Sequence, residues 1–125
     1  MPERYVLIVE DNPLNVRLFA LLLRDAGFAV STASNADEAL ACVKFKRPDL
    51  ILMDIRLPGI DGLTLTRSLR ADGANNGTRI VAITAHAMVE DRERALAAGC
   101  DGFISKPIDT RAFSQTIASY LQRPA

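Results

Sequence analysis

Five side chains of this sequence have types and positions suited to phosphate chemistry. Glu10 and Asp11 follow directly on the apolar run Tyr5 to Val9, and Asp54 follows directly on Ile51, Leu52 and Met53. Thr84 closes the run that starts at Arg79, and Lys106 follows the run Gly102 to Ser105. None of these is informative alone, because acidic residues often cap helices and lysines often sit in loops; their shared placement at the ends of apolar runs carries the reading. Three clustered carboxylates repel and bind protons more tightly unless a cation lies among them. Magnesium takes oxygen ligands, keeps several waters and binds through one or two carboxylates plus a phosphate, which suits an open acidic cleft. Calcium fits less well, since the loop spacing of a helix-loop-helix calcium site is absent. Zinc fits less well again, since His86 is the only histidine and neither cysteine is near it in sequence. A carboxylate held beside such an ion can act as a nucleophile and take a phosphoryl group. Asp54 is the candidate nucleophile, with Glu10 and Asp11 as metal ligands, directly or through water. Lys106 and the metal would neutralise charge on the phosphoryl oxygens, and the Thr84 hydroxyl would hydrogen-bond one of them.

The elements that must position these groups alternate along the chain. Tyr5 to Val9, Ala29 to Thr32, Leu50 to Met53, Arg79 to Ile83 and Gly102 to Ser105 read as strands, short and almost continuously apolar. Between them the pattern predicts helices: one from Pro13, capped by Asn12 and stopped at Gly27; one over Ala36 to Lys46; one over Leu63 to Arg70 after the loop Leu57 to Gly62; one over Met88 to Ala98, closed by Gly99. Asp109 is expected to cap a last helix with Phe113, Ile117 and Leu121 on one face. Asp72 to Thr78, rich in Gly and Asn, is expected to be a surface loop and the most mobile connection. Five apolar strands alternating with five helices predict an α/β domain, an open doubly wound parallel sheet covered on both faces. Ligands in such folds bind outside the carboxyl ends of the strands, and if the first and third strands are neighbours, all three carboxylates converge there.

The chain has 125 residues, 49% hydrophobic and 24% charged, which predicts one packed domain over residues 1–125 and excludes disordered and low-complexity classes. Fifteen basic residues balance fifteen acidic ones, so the charge footprint of a direct nucleic-acid binder is missing. No apolar run approaches the ~20 residues of a membrane span, and the first run is too short for a signal peptide. Cys42 and Cys100 match no metal or disulfide spacing and read as small apolar packing groups in a reducing cytoplasm.

The residues resemble a receiver domain of two-component response regulators over essentially Arg4 to Leu121. The likeness is carried by Val6-Leu7-Ile8-Val9-Glu10-Asp11-Asn12, Pro48-Asp49-Leu50-Ile51-Leu52-Met53-Asp54, Leu57-Pro58-Gly59-Ile60-Asp61-Gly62, Thr84-Ala85 and Lys106-Pro107. It implies a flavodoxin-like (βα)5 fold with strand order 2-1-3-4-5, and a phosphoacceptor signalling domain that assists its own phosphorylation and dephosphorylation rather than an enzyme. It implies that Asp54 accepts a phosphoryl group from a phosphohistidine of a sensor histidine kinase or histidine phosphotransferase. By the same resemblance Asp11, Asp54 and the backbone carbonyl of Arg56 bind Mg2+, Glu10 holds a metal water, Thr84 and Lys106 contact phosphate, and the bond before Pro107 is cis. Phe103 stands at the family's switch aromatic: when phosphorylation draws Thr84 inward, Phe103 rotates and reshapes the surface of the fourth helix, fifth strand and fifth helix for downstream protein targets. The competing reading makes Phe103 plain core. Arg56 and His86 occupy positions that tune dephosphorylation in the family, set against a reading as ordinary solvated loop residues.

The wording around Glu10-Asp11-Asn12 and Thr84-Ala85-His86 resembles single-domain regulators, some of which control the cell cycle, and also receivers inside hybrid histidine kinases. A stand-alone regulator without an output domain is the favoured expectation, monomeric or weakly dimeric and free of the membrane. The first helix carries more apolar residues than a core stripe needs. Leu18, Phe19, Leu22 and Ala26 make its core face, and Leu14, Leu18 and Leu21 are the residues expected to dock the helical bundle that bears the phosphohistidine. Coverage of these residues by loops is the alternative. Two rival functions share parts of this pattern. A small aspartyl-phosphate hydrolase would need a cap to enclose its substrate, and a flavin electron carrier would need a Gly/Ser/Thr-rich phosphate loop after the first strand, where this chain has Asp11-Asn12-Pro13.

Overall fold

The computed structural model describes residues 4–57, 61–85 and 89–122. Five strands, β1 (Tyr5–Val9), β2 (Ala29–Ala33), β3 (Leu50–Asp54), β4 (Arg79–Thr84) and β5 (Gly102–Ser105), form one parallel sheet in the order β2-β1-β3-β4-β5. The helices are α1 (Pro13–Asp25), α2 (Ala36–Phe45), α3 (Gly62–Ala71), α4 (Val89–Ala98) and α5 (Phe113–Gln122). This is the doubly wound α/β fold expected from the sequence. None of the described helices is long and apolar enough to cross a membrane.

Successive strand residues point to opposite faces, and the core divides accordingly. Val6, Ile8, Leu50, Leu52, Val81 and Ile83 meet Phe19 and Leu23 of α1 and Phe113 and Ile117 of α5. Leu7, Val9, Ile51, Met53, Ile80 and Ala82 meet α2, α3 and α4 through Ala39, Leu65, Leu69 and Ala95. Phe19 stacks on Phe113 with ring centroids 5.3 Å apart, which ties α1 to α5 across the first layer. Both faces of β1, β3 and β4 are therefore covered, and only the strand ends are open to chemistry.

Local signals set where the elements start and stop. Asn12 Oδ1 accepts from the backbone N–H groups of Leu14 (2.9 Å) and Asn15 (3.3 Å), Pro13 takes the first helical position, and Gly27 leaves α1 at φ 95°. Asp61 Oδ1 accepts from Thr64 N at 2.8 Å and starts α3. Gly62 is required for a different reason: a Cβ there would collide with the backbone of Asp54 and Ile55, against which the start of α3 is laid.

Several expectations are corrected. Asp109 does not cap α5: its Oδ1 accepts from Arg111 N (3.0 Å) two residues on, closing a turn, and the helix begins only at Phe113. The Asp72 to Thr78 connection is mostly exposed, as expected of a surface loop, but Arg70 ties it down at Asn75 and Thr78. It contains a 3-10 turn (Gly73–Asn75), Asn75 and Thr78 are buried, and the Arg70 guanidinium donates to the carbonyls of Asn75 (2.9 Å), Thr78 (2.7 Å) and Gly99 (2.9 Å) and to Asp101 (2.7 Å). On α1 the fully packed line is Phe19, Ala20 and Leu23; Leu18 and Leu22 are half-buried and Ala26, which ends the helix, is exposed. Met88, expected in α4, and His86 lie outside the described residues.

Candidate phosphoacceptor site

The register of the sheet brings the expected residues to one edge. Val9 pairs with Met53, so Glu10 and Asp11 follow β1 where Asp54 ends β3; Asp54 pairs with Ile83, so Thr84 lies one residue further along β4; and Thr84 pairs with Ser105, which precedes Lys106. Carboxylate oxygens of Glu10, Asp11 and Asp54 lie within 4.8 Å of one another. Glu10 and Asp54 are buried, whereas Asp11 is exposed, so the group is open from the Asp11 side.

Lys106 reaches back into this group. Its ammonium donates to Glu10 Oε1 at 2.7 Å and to Asp54 Oδ2 at 3.2 Å. Burial on its own lowers the proton affinity of the amine, but the hydrogen bond to Glu10 and the charges of Asp54 and Glu10 outweigh it, so Lys106 is held above its ordinary value and stays charged. Asp54 Oδ1 accepts from the backbone N–H of Arg56 at 2.9 Å. Among the described residues each Asp54 oxygen thus has one donor, which aims the carboxylate while leaving lone pairs for a further partner. The peptide bond between Lys106 and Pro107 is cis, as the sequence resemblance implies.

Glu10 has a donor set that sequence reasoning missed. Besides Lys106, the side-chain amide of Asn15 donates to Oε1 at 3.1 Å and the backbone N–H of Asn12 to Oε2 at 3.3 Å. The pair Asn12 and Asn15, three residues apart at the start of α1, is the signal that could have pointed to it.

The remaining expected residues are dispersed. Phe103 is half-buried and packs against the core layer of α2, α3 and α4. Leu14 is 73% exposed and Leu21 62% exposed, which rejects loop coverage of these two side chains. They do not share one hollow with Leu18. Leu18 lines a groove of about 290 Å3 with Asn15, Phe19, Ala85, Lys106, Pro107 and Ile108, whereas Leu21 borders a second hollow on the β2 flank with Arg17 and Arg24. The three residues span about 60° of helix surface at ~100° per residue, enough to face two flanks. The exposed Arg56 borders a cavity of about 540 Å3 with Asp11, Asp61, Asp91 and Arg94; the last two form an ion pair in which Asp91 is buried.

A family profile described as "Response regulator receiver domain" matches residues 6–118. The chain belongs to the response regulator receiver family. The polar-differentiation response regulator DivK of Brucella anthropi is 46% identical to this receiver over 121 residues, 97% of this chain and 98% of its own length. DivK of Brucella ovis is 44% identical over 116 residues, 93% of this chain and 94% of its own. Among solved structures, the receiver domain of the sensor histidine kinase PA1611 from Pseudomonas aeruginosa PAO1, with a magnesium ion coordinated in its active-site cleft, superposes with TM-score 0.88 at 33% identity, covering 98% of this chain and all of that one. The chemotaxis response regulator CheY4 of Vibrio cholerae superposes with TM-score 0.90 at 27% identity, covering 95% of this chain and 99% of that one. The receiver is a two-component signalling domain by family, and its strand order is the one the resemblance implied.

Proposed function

We propose that this receiver accepts a phosphoryl group on Asp54 from a phosphohistidine of a histidine kinase or phosphotransferase, and that the modified domain changes its binding to protein targets. The observation that carries the reading is Lys106, whose single ammonium bridges Glu10 and Asp54 while Asp11 stands open beside them. A carboxylate oxygen of Asp54 attacks phosphorus in line with the leaving imidazole; the O–P bond forms, the N–P bond breaks, and the imidazole nitrogen takes a proton as it leaves. Lys106 meets charge on the phosphoryl oxygens, and Thr84, at the adjacent strand end, supplies a hydroxyl to one of them.

The donor set fits magnesium: three carboxylates, all hard oxygen ligands, grouped around one point and accessible from one side. Asp11, Asp54 and the Arg56 carbonyl would hold the ion and Glu10 a water on it, and the ion would neutralise phosphoryl oxygens during transfer. Arg56 and His86 would limit the approach of the water that removes the phosphoryl group. Thr84, Phe103 and Pro107 would carry the change to the surface of α4, β5 and α5.

Docking is assigned to the stripe of Leu14, Leu18 and Leu21 on α1: Leu18 lines the groove between α1 and the Lys106-Pro107-Ile108 segment beside the phosphoacceptor, and the exposed Leu14 lies about one turn from it. The coverage of DivK from Brucella in both directions supports the stand-alone reading, with a role in polar or cell-cycle control and a cytoplasmic location. The match to a sensor kinase receiver keeps a hybrid-kinase origin as the second reading.

Phosphoramidate, which carries the P–N bond of phosphohistidine, tests the chemistry. With Mg2+ the chain should gain one phosphoryl group by intact mass, with EDTA or in Asp54→Asn none. Release of inorganic phosphate at a sustained rate with no adduct would instead favour the hydrolase.

A further inference from the structure

We propose that Asn15 is a positioning residue for Glu10, an assignment that rests on the metal-dependent phosphoacceptor reading above. Glu10 is 1% exposed, so its orientation is set by donors inside the protein rather than by water. Among the described residues, two of its three donors share one oxygen: Lys106 Nζ at 2.7 Å and Asn15 Nδ2 at 3.1 Å both reach Oε1, one from the segment after β5 and one from α1. Lys106 is also bonded to Asp54, at 3.2 Å. With Lys106 as its only side-chain donor, Oε1 would follow the ammonium toward Asp54 and narrow the space between the carboxylates. Asn15 opposes that movement from the α1 side.

The residue is built for the task. Its backbone N–H is fixed by the Asn12 cap at 3.3 Å, so the side chain projects from a pinned first turn. Its amide is neutral, so it orients the carboxylate without adding a positive charge that would compete with a cation. The Asn15 side chain is half-buried and lines the groove of Leu18, Phe19, Pro107 and Ile108, which keeps it directed inward. Groups hydrogen-bonded to metal ligands typically change metal affinity about 10- to 100-fold when removed, and Asn15, which holds the Glu10 carboxylate that would hold a metal-bound water, is expected at the low end of that range.

The test titrates the full-length chain with MgCl2 by isothermal calorimetry and measures its urea midpoint in EDTA. Asn15→Leu keeps the branched outline and heavy-atom count and removes the donor; Asn15→Ser truncates it while keeping the position polar; Asn15→Gln keeps an amide. The expected result is a Kd for Mg2+ raised about tenfold in N15L and N15S and within about threefold of wild type in N15Q, with similar EDTA midpoints in all four chains. Mg2+ binding by N15L and N15S at the wild-type Kd would overturn the assignment of Asn15 alone. A wild-type chain that binds no Mg2+ would overturn the metal reading itself, and the assignment with it.

Discussion

Cys100 lies in the layer of α2, α3 and α4 beside the Thr66 hydroxyl, and burial pushes its thiol up to about 11, its hydrogen bond with Thr66 and the charge of Arg70 opposing only part of that rise. In the unfolded chain the thiol ionises near 9.0, so between about pH 9 and 11 the folded state holds the extra proton and stability falls as pH rises. The two states differ by about two pH units, so the loss approaches about 2–3 kcal/mol at the top of that window and is absent below it. Urea unfolding from about pH 8 to 11 should show wild type losing that much more stability than Cys100→Ala; equal losses would contradict the assignment. The residues of the site itself were legible because Glu10, Asp11, Asp54 and Lys106 sit at the ends of apolar runs, where topology alone decides what meets. Asn15 and Arg70 were not. Asn15 meets Glu10 only five residues away, a pairing that the Asn12 and Asn15 spacing offered but that polar residues at a helix start rarely signal; Arg70 meets the Asp101 carboxylate, 31 residues on, and no local window records that meeting.

Two elements carry most of the positioning. The start of α3 rests on the backbone that follows Asp54, with Gly62 N donating to Ile55 O at 3.1 Å. Gly62→Ala would drive a methyl group into that backbone, which cannot rotate away as a side chain can, so a loss of about 2 kcal/mol or more and slower phosphoryl uptake are expected. Denaturant unfolding beside the phosphoramidate reaction checks both, and a variant of parental stability and rate would show that the loop has slack. On α1, Leu14→Glu places a charge on the proposed docking flank. Transfer from a partner histidine phosphotransferase should slow about tenfold or more while phosphoramidate still reacts at the parental rate, since only the first reaction needs the surface. Strand positions were readable from short, almost continuously apolar runs, buried end to end in β1 and β3, and α1 from its cap and Gly27. The start of α5 was misread because an aspartate can close a turn as readily as cap a helix, and the choice depends on where its carboxylate finds a donor.

At the scale of the molecule, balanced charge and two covered sheet faces leave one reactive edge, the carboxyl ends of β1, β3, β4 and β5. Phosphorylation of Asp54 would replace its single negative charge with up to about two, beside the remaining carboxylates of Glu10 and Asp11, and Lys106 and a bound cation would offset them. On the proposed reading, that charge would draw Thr84 and Phe103 into a shift that presents a different surface to partners. The whole account depends on where the phosphoryl group is attached. Borohydride reduction of the phosphorylated chain, followed by peptide mapping, converts an aspartyl phosphate to homoserine. Homoserine at position 54 and nowhere else is the predicted result; an unmodified Asp54 in a chain that had taken up phosphate would contradict it.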